Sequence, residues 1–489
     1  MKKQVLTRRQ FIQLSTLGAG AALLAACTPP ATPAPTAVPT KASVATQPPA
    51  APATAVPTKA AEPTKPAEPT KPAATNTAPA VVKEPGSKVK ITYWGSFTGK
   101  NGETEKALVE KFNASQSDIA LDYQFQGSYE DTAQKLTAAI QSKTTPEVCL
   151  LSDVWWFKFY LAKALAPLDD LMTKAKIDKT DYVDVLLNEG VRKNVHYWVP
   201  MARSTPLFYY NKDHWKAAGL PDRGPETWDE MMEWAPKLLK KEGSTVKVGA
   251  FGHPGAASYI AWLFQGVVWQ FEGMYSKPDF TMTMTNEKTI EAGVFYGDTV
   301  NKYGWATFPK DIQVDFVSGL VSSAMMSTGS MGGILANAKF PVGTSFLPKK
   351  KVFGCCTGGS GLAILAAAPK EKQEAAMKWI DFATNTANTA FWAKNTGYMP
   401  VRKSAVKSDE MQAYFKENPT FKTAVDQLPL TRPQDAARVF VPNGDQIIGK
   451  GLERIIVNKE AAKDVFAAVN KELETAAAPV VASLKAVEG

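Results

Sequence analysis

Histidine and cysteine are nearly absent, with three of the one and four of the other among 489 residues. His196, His214 and His253 stand apart, in no metal-ligand spacing, and no His-Glu-x-x-His occurs. Apart from Cys27 the cysteines are Cys149, Cys355 and Cys356. Two are adjacent and none is paired at a useful spacing, so neither a disulfide framework nor a metal site is indicated. They read as small buried residues. Gly-x-Ser-x-Gly, the phosphate-loop pattern and Cys-x-x-Cys are missing too. Asp169-Asp170 follows Pro167-Leu168 and reads as a solvated helix start. Nothing asks for a reaction, so no enzyme, catalytic residue, cofactor or metal is expected. Long apolar runs are also missing beyond the first 27 residues, so no membrane-spanning helix is expected there.

What is present begins with an export pattern. Thr7-Arg8-Arg9-Gln10-Phe11-Ile12 carries the twin arginine of one secretion route. The apolar run from about Leu14 to Ala26 is too short for a comfortable span. It ends in Leu24-Ala25-Ala26-Cys27, which resembles the bacterial lipobox, with the Cys27 thiol as the acylated atom. Residues 1–27 are therefore expected to be a lipoprotein signal peptide. One acyl chain binds a bilayer only marginally, so a stable anchor needs more than one chain. Residues 28–88 are rich in Pro, Ala and Thr, with the near-repeat Glu62-Pro63-Thr64-Lys65-Pro66 and Glu68-Pro69-Thr70-Lys71-Pro72. That composition predicts a disordered tether reaching on the order of 190 Å if polyproline-like and roughly 45 Å as a coil. The expected location is extracytoplasmic, held by lipid to the outer face of the cell membrane.

Charge divides along the same line. The first 88 residues hold ten Lys or Arg against three Glu and so carry +7 of the net +9, leaving +2 for the other 401. The basicity belongs to leader and tether and does not point to nucleic acid.

About 400 residues exceed what one core usually serves, so two lobes are expected. Lys88-Val89-Lys90-Ile91-Thr92-Tyr93-Trp94 alternates like a strand. Helical patterns follow at about Glu103–Asn113 and Glu130–Lys143, and Cys149-Leu150-Leu151-Ser152 reads as a buried parallel strand. Thr205–Asn211 is another apolar run. Thr227-Trp228-Asp229-Glu230 reads as a capping box opening a helix towards Lys241. Further helices are predicted at Lys370–Thr384 and Ala461–Leu484. Strands alternating with helices imply parallel α/β sheets, whose ligands gather at the carboxyl ends of the strands. Tyr93-Trp94, Trp155-Trp156, Trp198, Tyr209-Tyr210, Trp262 and Trp269 stand near such ends, where flat apolar faces suit polyols or sugars; taken singly, each fits lobe packing better.

Two glycine-rich loops, Ser327–Gly333 and Thr357–Gly361, allow close backbone approach; the first serves equally as an anion-friendly helix start or a plain turn. Arg438, among Ala436-Ala437 and Val439-Phe440-Val441, calls for an acidic partner from protein or ligand.

The chain resembles the family 1 extracellular solute-binding proteins of ABC importers over essentially residues 89–489. The likeness lies in Lys88–Gly99, Thr205–Asp213, Pro225–Glu230, Ala324–Ser327 and Thr396–Val401. It implies an α/β, two-lobed, periplasmic-binding-protein-like (type II) fold with a ligand cleft between the lobes. The expected lobes are 89–204 plus 356–405 and 205–355 plus 406–489. The branch that binds sn-glycerol 3-phosphate is most similar. That resemblance implies ligand contacts from Tyr129 and Tyr398, an anion-binding Arg438, and small contacts around the anion from Ser204, Ser330 and Gly359. Asp153 stands where that branch uses a glutamate for glycerol hydroxyls. Its tryptophans between Gly252 and Trp262 are replaced here by His253, Ser258, Tyr259 and Trp262; Trp94, Tyr259 and Trp262 are candidate stacking residues. The implied partners are a small solute, glycerophosphate or sugar, and the permease subunits. The membrane is reached through Cys27, and a monomer is expected.

Three rivals remain. A neutral oligosaccharide would be held by the aromatics. A glycoside-acting enzyme would need two carboxylates roughly 5 to 10 Å apart, and only Asp153 is a good cleft candidate. An adhesive lipoprotein would lack convergent polar groups.

Overall fold

A computed structural model describes residues 88–489; the leader with Cys27 and the tether up to residue 87 lie outside the described residues. Strand β1 (Val89–Gly95) buries Ile91 and Tyr93 on one face, as its alternation predicts. Helix α1 (Gly99–Ser115) leads to β2 (Ile119–Phe125), and helix α2 (Tyr129–Ser142) leads to β3 (Val148–Ser152). Both β2 and β3 run parallel to β1. Every residue of β3 is buried, the signature of a strand covered on both faces. A short helix α3 (Trp156–Leu161) follows, and β4 (Val199–Ser204) completes this pass of the chain.

One residue, Thr205, separates β4 from β5 (Pro206–Asn211), yet the two strands belong to different sheets. The second sheet adds β6 (Phe251–Gly252), helix α4 (Ala257–Gln270), β7 (Ala306–Thr307), β8 (Ser323–Ser327), helix α5 (Met331–Asn337) and β9 (Val342–Ser345). The chain then returns as β10 (Gly358–Ile364), pairing antiparallel with both β3 and β4. The orders β2-β1-β3-β10-β4 and β7-β6-β8-β5-β9 are the same pattern twice, three parallel strands, an inserted antiparallel strand and an edge strand. In each sheet the inserted strand is the one that enters straight after a crossing. This is the expected two-lobed α/β architecture. Later helices include α6 (Thr386–Thr396), α7 (Ala436–Val439), α8 (Gly444–Ile456) and α9 (Ala462–Glu488).

The crossings are tied together. Thr205 Oγ1 lies 2.9 Å from Cys355 Sγ and donates to Cys356 O at 3.1 Å. Gln427 Nε2 donates to Thr205 Oγ1 at 3.2 Å and to Pro206 O at 2.8 Å. Arg432 N then donates to Cys355 O, and Thr357 N to Arg432 O. All three body cysteines are buried and unpaired.

Several local readings change. The helix from Trp228 ends at Leu238, short of Lys241, because Leu239 is extended and Lys240–Glu242 pairs with Thr245–Val248 around Gly243, whose φ is +59°. Thr227 does cap Glu230 N at 3.0 Å, but the Glu230 carboxylate turns to Arg223 and to Glu226 N instead of closing a box. The reciprocal box forms at α2, between Ser128 and Asp131. Asp169 is not simply solvated; it binds Lys179 Nζ at 2.7 Å and His196 Nδ1 at 2.9 Å. Beneath β1, the fully buried Glu105 accepts from the Tyr93 and Tyr123 hydroxyls at 2.6 and 2.7 Å. Burial nonetheless pushes its carboxyl up to about 7. Among the described residues no helix is long and apolar enough to cross a membrane.

Candidate functional site

The first sheet delivers three groups to one rim. Asp153 follows β3 and is fixed there because its N–H donates to Gly359 O at 3.0 Å. Gly359 itself lies at φ +105°, and a Cβ there would stand 2.1 Å from Ala202 O, so only glycine lets β10 approach β4 this closely. Ser204 is the last residue of β4. Tyr129 opens α2, and its hydroxyl donates to Ser360 Oγ at 3.1 Å. Tyr398 comes from the loop after α6, with its ring stacked on Trp392.

The second lobe answers from its own strand and helix ends. Tyr259 and Trp262 sit in the first turns of α4, their rings stacked at 5.8 Å and 20°. Trp262 is held by its indole N–H on Thr357 O at 3.0 Å. Ser330 ends the turn after β8, and Arg438 lies on α7. All nine side chains or backbones named so far, Tyr129, Asp153, Ser204, Tyr259, Trp262, Ser330, Gly359, Tyr398 and Arg438, line a single cavity of about 340 Å³. The Ser327–Gly333 loop forms a 3₁₀ turn and the short α5, with Ser327 Oγ capping Gly329 N.

Two of the candidates lie elsewhere. Trp94 is not among the lining residues; it packs beside β1 and donates its indole N–H to Gln124 at 3.1 Å. His253 is buried in the second core, 4.0 Å from the Tyr296 ring and bonded to Thr299, where desolvation holds its pKa down near 3.

The cavity's two opposite charges are joined by a residue that sequence reasoning missed. Gln434 Nε2 donates to Asp153 Oδ2 at 2.6 Å and to Thr357 O at 2.9 Å, while Gln434 Oε1 accepts from Arg438 Nη1. Arg438, 5% exposed, also gives one N–H to Ser258 O at 3.2 Å, and its Nε has no partner. Of its five N–H groups three therefore remain for a ligand or go unbonded. A lone glutamine between Pro433 and Asp435 carries no motif, so only the fold shows that it spans the two charges. Asn101 was also missed; its Nδ2 donates to Gly329 O at 3.1 Å, linking α1 to the turn after β8.

The tyrosines complete the chemistry. Burial, with the neighbouring phenol, pushes Tyr129 up, and burial pushes Tyr398 up to about 12, so both stay protonated donors. Behind the rim, Arg203 and Glu189 form a fully buried pair, with the guanidinium 4.9 Å from the Trp198 ring. Burial raises the Glu189 carboxyl. Among the described residues no group of three His, Cys, Asp or Glu is placed to hold a metal. A cleft with one arginine, one buried carboxylate, hydroxyl donors and an aromatic pair is built to hold a polar solute and not to transform it.

That architecture and that cleft define a class, and the chain belongs to it: the bacterial extracellular solute-binding proteins, whose family model matches residues 107–423. It is thus a solute-binding component of an ABC importer and not an enzyme. Among individual proteins, the sn-glycerol-3-phosphate-binding periplasmic protein UgpB of Escherichia coli (strain K12) is 27% identical over 397 residues, covering 77% of this chain and 90% of that one. The crystal structure of UgpB from Mycobacterium tuberculosis in complex with glycerophosphocholine is 42% identical, with a TM-score of 0.76 over 80% of this chain and 98% of the other. The cyclic alpha-maltosyl-1,6-maltose binding protein of Arthrobacter globiformis shares the fold at 23% identity, with a TM-score of 0.67 over 81% and 99% of the two chains.

Proposed function

We propose that this protein captures glycerol 3-phosphate or a glycerophosphodiester and passes it to its permease while tethered to the membrane through lipidated Cys27. The observation that carries the reading is Arg438, buried in a cavity that also presents Ser204, Ser330 and two protonated tyrosines. A phosphate needs such donors, because an anion taken out of water must regain its hydrogen bonds. Asp153, across the Gln434 bridge, would accept from glycerol hydroxyls. Contacts to one solute from both lobes stabilise the closed form over the open one, which is how binding becomes a signal to the permease. The moving units are taken as 89–204 plus 356–405 and 205–355 plus 406–489. The two proteins named UgpB support this reading through their own ligands.

Calorimetry with glycerol 3-phosphate and glycerophosphocholine tests it, and heat from either is the expected result. The stacked Tyr259–Trp262 pair favours one other reading, a neutral sugar held against the rings. Heat from maltose alone would select that alternative and refute the phosphate.

A further inference from the structure

A second cavity of about 380 Å³ adjoins the first, with Val154 as their common wall. The segment that starts with Arg438 in the first cavity continues as Val439–Asn443 along the second. Its lining is apolar and aromatic, including Trp155, Leu161, Phe440, Pro442 and Pro479, with one acidic residue, Asp445. Phe440 is a fixed wall, its ring 4.3 Å from Phe157 and edge-on to Trp156 at 6.2 Å.

Asp445 is the feature that needs explaining. It is only 6% exposed, and no hydrogen bond or ion pair reaches its carboxylate. Its place in the first turn of α8 suits a negative charge, because the helix dipole is positive there. A buried carboxylate without a partner is nevertheless expensive unless something cationic arrives. The cation already at the rim, Lys158, is engaged elsewhere, with Nζ on Thr137 Oγ1 at 3.1 Å and 5.5 Å from the Trp155 ring. An aromatic wall with one carboxylate favours a bulky, weakly hydrated cation over a neutral alcohol.

We infer that this second cavity receives the quaternary ammonium head of a glycerophosphodiester whose phosphate lies at Arg438, making a choline-type diester the preferred solute. The inference rests on the phosphate reading above. It accounts together for the shared wall, the unpartnered Asp445 and the aromatic face of Phe440.

The test compares the full chain with Asp445→Asn and Phe440→Leu, using glycerophosphocholine, glycerophosphoglycerol and glycerol 3-phosphate as calorimetric probes. The wild type should prefer the choline diester to the glycerol diester. Each substitution should weaken glycerophosphocholine by about tenfold, as a lost cation contact does, and leave glycerol 3-phosphate within about twofold. Asp445→Asn breaks no hydrogen bond, so its fold should persist, and an unchanged melting temperature checks that. Equal losses for all probes, or none for glycerophosphocholine, overturn the subsite. Should no phosphate ligand bind the wild type, the phosphate reading fails by itself, and choline alone is then titrated. Choline heat that disappears in Asp445→Asn sustains the cationic cavity, and absence of that heat overturns it.

Discussion

Replacing Arg438 by alanine removes the only cation lining the first cavity, and the size of the loss follows from its surroundings. Two of its N–H groups are spent on Gln434 and Ser258, so a phosphate would take bonds from the remaining donors. A hydrogen bond between charged groups contributes about 1.5–3 kcal/mol, and two of them about 3–5 kcal/mol in so buried a site. The dissociation constant for glycerol 3-phosphate should therefore rise roughly 10²- to 10⁴-fold. Arg438→Lys keeps the charge but loses the fork and the bond to Gln434, so an intermediate loss is expected. Calorimetry on the three proteins, with melting temperatures to confirm folding, gives the comparison. The reasoning is refuted if Arg438→Ala costs less than about tenfold, or if a neutral sugar binds and loses affinity in parallel.

Three further outcomes are expected. Glu105 has a carboxyl raised from 4.5 to about 7, so the folded state holds its proton more tightly than the unfolded chain. Its stabilising effect is complete below pH 4.5 and is lost as pH rises to about 7, a fall on the order of 3 kcal/mol. Glu105→Gln should flatten that part of the pH profile in urea denaturation, and an unchanged slope would contradict the assignment. Gly359→Ala must place a Cβ 2.1 Å from Ala202 O at φ +105°. It should lose about 2–4 kcal/mol of stability together with solute binding, and a variant with normal stability would refute the close approach. Cys27→Ala should move the protein from the membrane fraction to the medium, read by immunoblot, whereas retention in the membrane would exclude lipid at that residue as the anchor.

The fold was legible where side-chain period and length agreed. The alternation of Val89–Gly95, the buried run Val148–Ser152 and the helix at Lys370–Thr384 carry their own patterns. Phe251–Gly252 and Ala306–Thr307 are two-residue strands, too short for any period to show, and their place in the second sheet is set by tertiary pairing. The site was legible mainly through family likeness, which brought forward Tyr129, Asp153, Arg438 and their neighbours. Trp94 had the right residue type at a strand end, but its indole bonds to Gln124 away from the cavity. Gln434 was invisible because its importance comes from lying between two charges that are distant in sequence, Asp153 and Arg438.

The knot at Thr205, Cys355, Cys356 and Gln427 has a mechanical consequence. Where the chain passes from sheet to sheet, the passages are pinned to one another, so sliding would break several buried hydrogen bonds at once while rotation about the pin would keep them. The protein's moving geometry is then set apart from its chemistry of recognition. Lining residues can be exchanged for another solute without redesigning the swing. Whatever reads the outer surface would register the same turn of one half against the other, whichever solute caused it.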